Sequence, residues 1–383
     1  MKLGIIGDVH LGASLLLGKK DLDTGINTRL IDYQDTLFLS MRTLRDAGAE
    51  VLILTGDIFE SRNPTIKQME LFSRAIYSAL QEFNYKKVYI CVGNHDRQRS
   101  NNTHTLSYLQ ELKLNNVVVV DEITSFQVGG INLIFIPYLD RNSLSADSAE
   151  DAIKDIKKQI NKEIKEKNIA IGHMMLEGTI PAHDYYADLY DSNELALPVS
   201  LFSKIQLTIM GHIHEPSVFS VKPRIIYSGS MDKRSHCEKA DRTVLLVETD
   251  NLTAEQIPIS CRAIHEIEYT AKSASDDITS EIIKHLDAQS FMPGSIVRIN
   301  CEVFEDDVDR VSPGTIEQHL ISRYKISHLL PVRPIPIVKE SLRTVKISEQ
   351  IEPGLALAKY IKANFSEHPY ADEMLAKGKD FLS

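Results

Sequence analysis

The stretch LTIMGHIHEP, residues 207–216, is a short apolar run that meets a glycine and then two histidines two positions apart. Side chains two apart on an extended strand point to the same face. His212 and His214 are therefore expected at the end of a strand, on one side of a sheet. What two imidazoles do there depends on what else arrives at the same end.

Four other places in the chain repeat the pattern. KLGII (2–6) runs into GDVH, which carries Asp8 and His10, again two apart. EVLIL (50–54) runs into TGDIFE with Asp57, and KVYICV (87–92) into GNHD with Asn94, His95 and Asp96. IAIGH (169–173) ends at His173. Ligands of open α/β sheets bind beyond the carboxyl ends of the strands, where glycine permits a sharp turn and close approach. Taken singly, each motif reads as an ordinary Gly-Asp or Asx turn with a surface histidine. Five strand ends of one kind instead pool two carboxylates, an amide oxygen and four imidazoles, with His95 and Asp96 beside them. Such a pool is costly to bury without compensation. Two divalent cations about 3.5–4 Å apart, sharing one bridging carboxylate, supply it. The mix of His, Asp and Asn without thiolate suits Mn, Fe, Co or Zn rather than calcium. The two histidines of the opening stretch then divide between the ions, or serve both with solvent between.

The remaining sequence surrounds this end with an α/β framework. YQDTLFLSMRTLRDAG (33–48) has helical periodicity and a terminal glycine, and PTIKQMELFSRAIYSALQEF (64–83) opens with a proline suited to a first helical turn. Apolar strands alternating with helices imply a parallel sheet covered on both faces. From residue 117 the strands come closer together, with Gly129-Gly130 as a hairpin signal. SAEDAIKDIKKQINKEIKEKN (148–168) is a charged helix with an apolar stripe at Ile153, Ile156, Ile160 and Ile164. Two packed sheets with helices outside are expected to about residue 260. A βαβαβ pattern restarts at 265, where Ser312 and Pro313 open a helix and the prolines of HLLPVRPIPIV restrict that segment to a sheet edge. The chain ends in two short amphipathic helices interrupted at His368-Pro369.

Composition is that of a globular protein: 383 residues, 43% apolar and 25% charged. The length favours more than one domain. Four cysteines without a CxxC pair argue for reduced, structural thiols, and no apolar run is long enough to span a bilayer. Asp8 and His10 interrupt the would-be core of a signal peptide, so the expected location is the cytoplasm. A net charge of −10 argues against coating nucleic acid over the whole surface, but not against a local basic groove.

GDVH, GDIF, GNHD, GH and GHIH, in this order, resemble the calcineurin-like metallophosphoesterase superfamily over roughly the first 260 residues. GDVHLGA (7–13), GDIFESRNP (56–64), IPYL (136–139), GHMMLEG (172–178) and YSGSMDKRSHCEKADRTVLLVE (227–248) are similar to the SbcD/Mre-type nuclease subunits of DNA double-strand-break repair. The resemblance implies an α/β metallophosphoesterase two-sheet sandwich over residues 1–262. It further implies a small βαβαβ capping, DNA-binding domain over 263–340 and, over 341–383, helices that dock an SbcC/Rad-type SMC-like coiled-coil ATPase. It implies that Asp8, His10, Asp57 and His214 hold one metal, and that Asp57, with Asn94, His173 and His212, holds a second. His95 would act on the leaving oxygen, and Asp96 would orient His95 through its other ring nitrogen. The implied activity is manganese-dependent hydrolysis of DNA: exonuclease on duplex ends and endonuclease on single-stranded or hairpin DNA. The implied assembly is a homodimer acting on DNA with the ATPase, in the nucleoid or the phage-infected bacterial cytoplasm. The alternative is a phosphoesterase for small phosphodiesters or phosphoproteins.

One position departs from part of that family. Archaeal and eukaryotic relatives carry a histidine three residues after the bridging Asp, where this chain has Glu60. An acidic residue there points to the bacterial or phage branch. Basic loop residues near the same end, Lys19, Lys20, Arg29, Arg62, Arg97, Arg99, Lys233 and Arg234, are candidates for phosphate contact, each weighed against an ordinary solvated loop charge.

Overall fold

The computed structural model describes residues 1–98, 103–179, 194–235, 238, 240–337, 353–365, 368 and 370–382. The chain forms two compact units, Met1–Ala263 and Ile264–Ser383.

In the first unit the strands run, in chain order, β1 Lys2–Ile6, β2 Val51–Leu54, β3 Lys87–Cys91, β4 Val117–Val120, β5 Thr124–Val128, β6 Ile131–Ile136 and β7 Asn168–Gly172. They continue with the short pair β8 Met175–Leu176 and β9 Ala196–Leu197, then β10 Leu207–Met210, β11 Ser217–Ser220, β12 Ile225–Tyr227, β13 Arg242–Glu248 and β14 Thr253–Ile259. Two six-stranded mixed sheets result, in the orders β14-β13-β1-β2-β3-β4 and β11-β12-β10-β7-β6-β5. Strands β1 to β4 are mutually parallel, as are β6, β7, β10 and β12. β13 returns antiparallel along β1, so the last strands of the unit brace the first.

The apolar residues explain the layering. Leu3 and Ile5 of β1 pack with Leu133 and Phe135 of β6 and Ile169 and Ile171 of β7, forming the core between the sheets. The opposite face of the first sheet is covered by helices α1 Thr28–Asp46 and α2 Ile66–Gln81, through Leu37, Met41, Leu71 and Phe72. After the short α3 Ser107–Glu111, α4 Ala149–Glu163 covers the second sheet through Ala152, Ile156 and Ile160. Two central sheets thus carry helices on both outer faces.

The local signals are found with small displacements. Gly129 and Gly130 both have positive φ in the β5–β6 hairpin, as a two-residue turn requires. α1 begins earlier than the periodicity predicts, because the Asn27 side chain accepts from Arg29 N at 2.9 Å and caps it. Pro64 stays outside α2; Thr65 caps that helix, in a reciprocal box with Gln68.

The second unit has a parallel sheet of β15 Ile264–Thr270, β16 Ile296–Val303 and β17 His328–Leu329, with β18 Ile335–Pro336 also on β16. Helices α5 Ile278–Asp287 and α6 Pro313–Tyr324 form the crossovers and bury Ile282, Leu286, Ile316 and Leu320 with Val297 and Ile299. The proline-bearing segment lies at the edge. α7 Pro353–Phe365 and α8 Ala371–Leu382 follow. Among the described residues no helix is long and apolar enough to cross a membrane, and Cys91, Cys261 and Cys301 are free thiols.

Candidate metal centre

β1, β2 and β3 are neighbours in one sheet, and β7 and β10 are neighbours in the other. Their carboxyl ends converge, and the polar residues that follow each glycine meet there. The His212 amide donates to Asp8 Oδ2 at 2.8 Å, linking the two sheets at the site. The glycines are needed for this approach. A Cβ on Gly93 would sit 2.2 Å from Asp57 Oδ1, and one on Gly211 would sit 2.5 Å from Asp8 Oδ1. Three of the site residues are themselves held in the left-handed region: His10 at φ 47°, Asp57 at φ 47° and His212 at φ 83°. Non-glycine residues persist there only where surrounding contacts overdetermine them, and such strain clusters at functional sites.

The side chains assemble in two sets. In the first, His10 Nε2 is 3.0 Å from His214 Nε2, and His214 Nε2 is 3.7 Å from Asp8 Oδ2. In the second, Asn94 Oδ1 is 3.0 Å from His173 Nε2 and 3.1 Å from His212 Nδ1. Asp57 Oδ2 lies between them, 3.6 Å from His10 Nε2 and 3.3 Å from His173 Nε2. His212 and His214 therefore divide between the sets. Donor atoms about 3–3.5 Å apart are what ligands about 2.1 Å from one ion require.

The electrostatics agree with a cation site. Burial lowers His10 and His214, and the Arg234 guanidinium lowers both further. Both imidazoles are thereby held in the neutral form, the form that offers a ring-nitrogen lone pair to a cation. Burial opposes charge on His173, but Asp57 and Asp8 overcome it and raise it to about 10. Burial would raise Asp57, yet His173 and His95 hold it well below the ordinary carboxylate range. Asp8 is raised, by burial first.

A second layer surrounds the sets. Glu60 Oε2 lies 2.9 Å from His10 Nδ1, and Glu60 Oε1 lies 2.5 Å from Arg234 Nη2. Burial favours the neutral acid of Glu60, but His10 and Arg234 outweigh it and take the carboxyl down to about 2. Glu194 Oε1 lies 2.7 Å from His212 Nε2. Nothing in the sequence around Glu194 marked it, because it follows no strand-end glycine. His95 is half-buried; its amide donates to Asp57 Oδ1 at 2.8 Å, and its Nδ1 donates to the Glu60 carbonyl at 2.5 Å.

Four expectations need correction. Asp96 does not orient His95. It is buried, with Oδ1 accepting from Ile58 N at 2.9 Å and Oδ2 from Gly93 N at 3.0 Å, so it ties together two of the loops that bear site residues. Burial and then Asp57 raise it to about 6. Arg29 is fully buried, bonded to Asp32 at 3.0 Å, Asp232 at 3.1 Å and the Lys233 carbonyl at 2.8 Å, so it cannot face a DNA phosphate. Arg97 is buried too and donates to the Asp121 carbonyl at 2.8 Å. Arg234 packs on His214, 3.1 Å from Nδ1, and pairs with Glu60. Lys19 and Lys20 are exposed, while Arg62 and Lys233 are half-buried. Arg99 lies outside the described residues.

The sequence profile described as calcineurin-like phosphoesterase matches residues 1–216. The chain is 25% identical over 232 residues to the DNA double-strand break repair protein Mre11 of Methanopyrus kandleri, covering 57% of this chain and 45% of that protein. It is 24% identical over 289 residues to the protein of the same name from Methanocaldococcus jannaschii, covering 72% of each. The chain thus spans less than half the length of the first relative. A dimetal phosphatase from Danio rerio superposes over 68% of this chain and 99% of that one, at 12% identity and a TM-score of 0.39, a likeness too loose to argue from.

Proposed function

The chain belongs to the calcineurin-like phosphoesterase family, and on that premise we propose that it is a DNA phosphodiesterase, the nuclease subunit of an SbcCD-type repair complex. The observation that carries a two-ion site is Asp57 Oδ2, set between His10 and His173 and so between two separately assembled ligand sets. Asp8, His10, Asp57 and His214 would hold one ion; Asp57, Asn94, His173 and His212 would hold the other. Bound divalent ions supply positive charge to the phosphoryl oxygens and make water nucleophilic near neutral pH. His95 donates Nδ1–H to the Glu60 carbonyl, because a carbonyl can only accept. Its Nε2 thereby faces away from that carbonyl, and in the imidazolium form, where both ring nitrogens carry a proton, Nε2–H would be the proton passed to the leaving oxygen, as a general acid does.

The relationship to DNA double-strand break repair proteins supports DNA as the substrate; manganese as the ion, exonuclease action on duplex ends and endonuclease action on single strands or hairpins are proposed on the motif resemblance to SbcD/Mre-type nucleases. A homodimer, a coiled-coil ATPase of the SbcC/Rad type as partner, and α7–α8 as its docking segment are proposed on the same motif resemblance. Residues 263–340 are assigned the capping role, and Lys19, Lys20, Arg62 and Lys233 the phosphate contacts.

The test is cleavage of a labelled linear duplex by wild type and His95→Asn, with manganese, magnesium or chelator. Manganese-dependent cutting that falls about 10²-fold or more in the variant is the expected result. Hydrolysis of a small phosphodiester with DNA left intact, even with the ATPase partner added, would exclude DNA as the substrate.

A further inference from the structure

Outside the seven side chains assigned to the ions, two carboxylates reach the imidazoles from behind. His10 turns Nε2 toward His214 and Asp57, and its other nitrogen, Nδ1, lies 2.9 Å from Glu60 Oε2. His212 turns Nδ1 toward Asn94, and its other nitrogen, Nε2, lies 2.7 Å from Glu194 Oε1. The two rings belong to different sets. His10 Nδ1, Glu60 Oε2 and Glu194 Oε1 are buried and complete no hydrogen bond among the described residues, so each carboxylate meets its imidazole nitrogen at ion-pair distance and nothing else claims these atoms. Glu60 is itself fixed: its other carboxylate oxygen meets Arg234, and its amide donates to the Leu11 carbonyl at 3.3 Å.

A neutral imidazole has one N–H and one lone pair, and its tautomer is set by what the far nitrogen meets. A carboxylate there draws the N–H to itself, turns the lone pair toward the metal and makes it more basic. We propose that Glu60 and Glu194 are positioning residues, one for each half of the centre. Glu60 holds the His10 Nδ1–H so that Nε2 faces the first ion. Glu194 holds the His212 Nε2–H so that Nδ1 faces the second. This rests on the two-ion reading above. It also gives Glu60 a role of its own at a position where some relatives carry histidine.

The competing role for Glu60 is direct ligation, because His10, Glu60 and His95 also offer ligand atoms within 4.8 Å of one another. The experiment uses the full chain with Glu60→Ala, Glu60→Gln, Glu194→Ala and Glu194→Gln. Manganese binding is titrated calorimetrically, and ring ¹⁵N shifts of labelled histidines are recorded in metal-free protein. Wild type is expected to bind two ions. Each alanine variant is expected to weaken one of them about 10–100-fold, as loss of an outer-shell partner does, and to leave the other unchanged. In metal-free protein His10 should lose its single tautomer in Glu60→Ala, and His212 in Glu194→Ala. The glutamine variants, which keep the shape, carry the same test with a smaller loss should an alanine variant not fold. If wild type binds no manganese, the two-ion reading falls and the inference with it. If wild type binds two ions and the variants match it in affinity and tautomer, the inference alone falls. Complete loss of one ion in Glu60→Ala with the His10 tautomer unchanged would make Glu60 a ligand and overturn its positioning role.

Discussion

Asp57 and His95 touch each other yet have separable roles. Asp57 Oδ2 faces both ligand sets while Oδ1 accepts the His95 amide, so its charge is needed before any chemistry begins. Asp57→Asn is expected to lose manganese and activity together, read by metal analysis and by cleavage. His95→Asn should keep its metal and lose about 10²–10⁴-fold in kcat; equal metal loss in both variants would merge the two roles. Arg29 illustrates a buried charge with a structural task. It stacks on Tyr33 with its guanidinium carbon 4.9 Å from the ring centroid, and it pairs with Asp232 and, together with Arg262, with Asp32. Arg29→Ala takes the ion-pair partner from the buried Asp232, while Asp32 keeps Arg262, and is expected to destabilise the protein by about 3–5 kcal/mol in denaturant melts. Unchanged stability with weakened DNA binding would return Arg29 to the DNA surface.

At the scale of elements, the strand–glycine–ligand unit works only because neighbouring strands are in register. Gly93 follows β3, and the ligand it makes room for, Asp57, follows β2. Gly93→Ala forces a methyl against Asp57 Oδ1 and should cost metal affinity while leaving the outer helices intact, seen as reduced manganese stoichiometry with unchanged helical circular dichroism. On α4 the apolar stripe supplies the buried attachment of a charged helix to its sheet, while Glu163 at its end takes hydrogen bonds from Ser125 and Asn132. Ile156 and Ile160 are buried there, so either one changed to Ala is expected to destabilise by about 2–5 kcal/mol.

Across the whole molecule, the two units have separate apolar cores, and the candidate ligands all belong to the first. Ligand binding stabilises only the part that binds it, by about 2.7 kcal/mol at a hundredfold excess over Kd. Calorimetry with manganese against chelator should therefore raise the melting of the first unit and leave that of the second in place. A shift of both transitions by the same amount would show that they unfold as one body. The net charge of −10 is consistent with a centre whose positive charge toward phosphate comes chiefly from bound ions.

What the sequence determined by itself is whatever is local: apolar runs of strand length, the glycine after each, and the Asp, Asn or His that follows. These were legible because strand period and turn chemistry act within a few residues, and glycine is the residue that lets two ligand-bearing loops touch. The tertiary structure decided what depends on contacts between distant positions. His212 and Asp8 meet across 204 residues, and only the alignment of two sheets makes the first an amide donor to the second. That alignment sends His212 to one ligand set and His214 to the other. It gives Asp96 backbone amides instead of His95, buries Arg29 and Arg97, and brings Glu60 and Glu194 to the far nitrogens of His10 and His212. No one-dimensional pattern encodes these pairings, because burial and partner choice are set by how the two sheets and their loops pack in space.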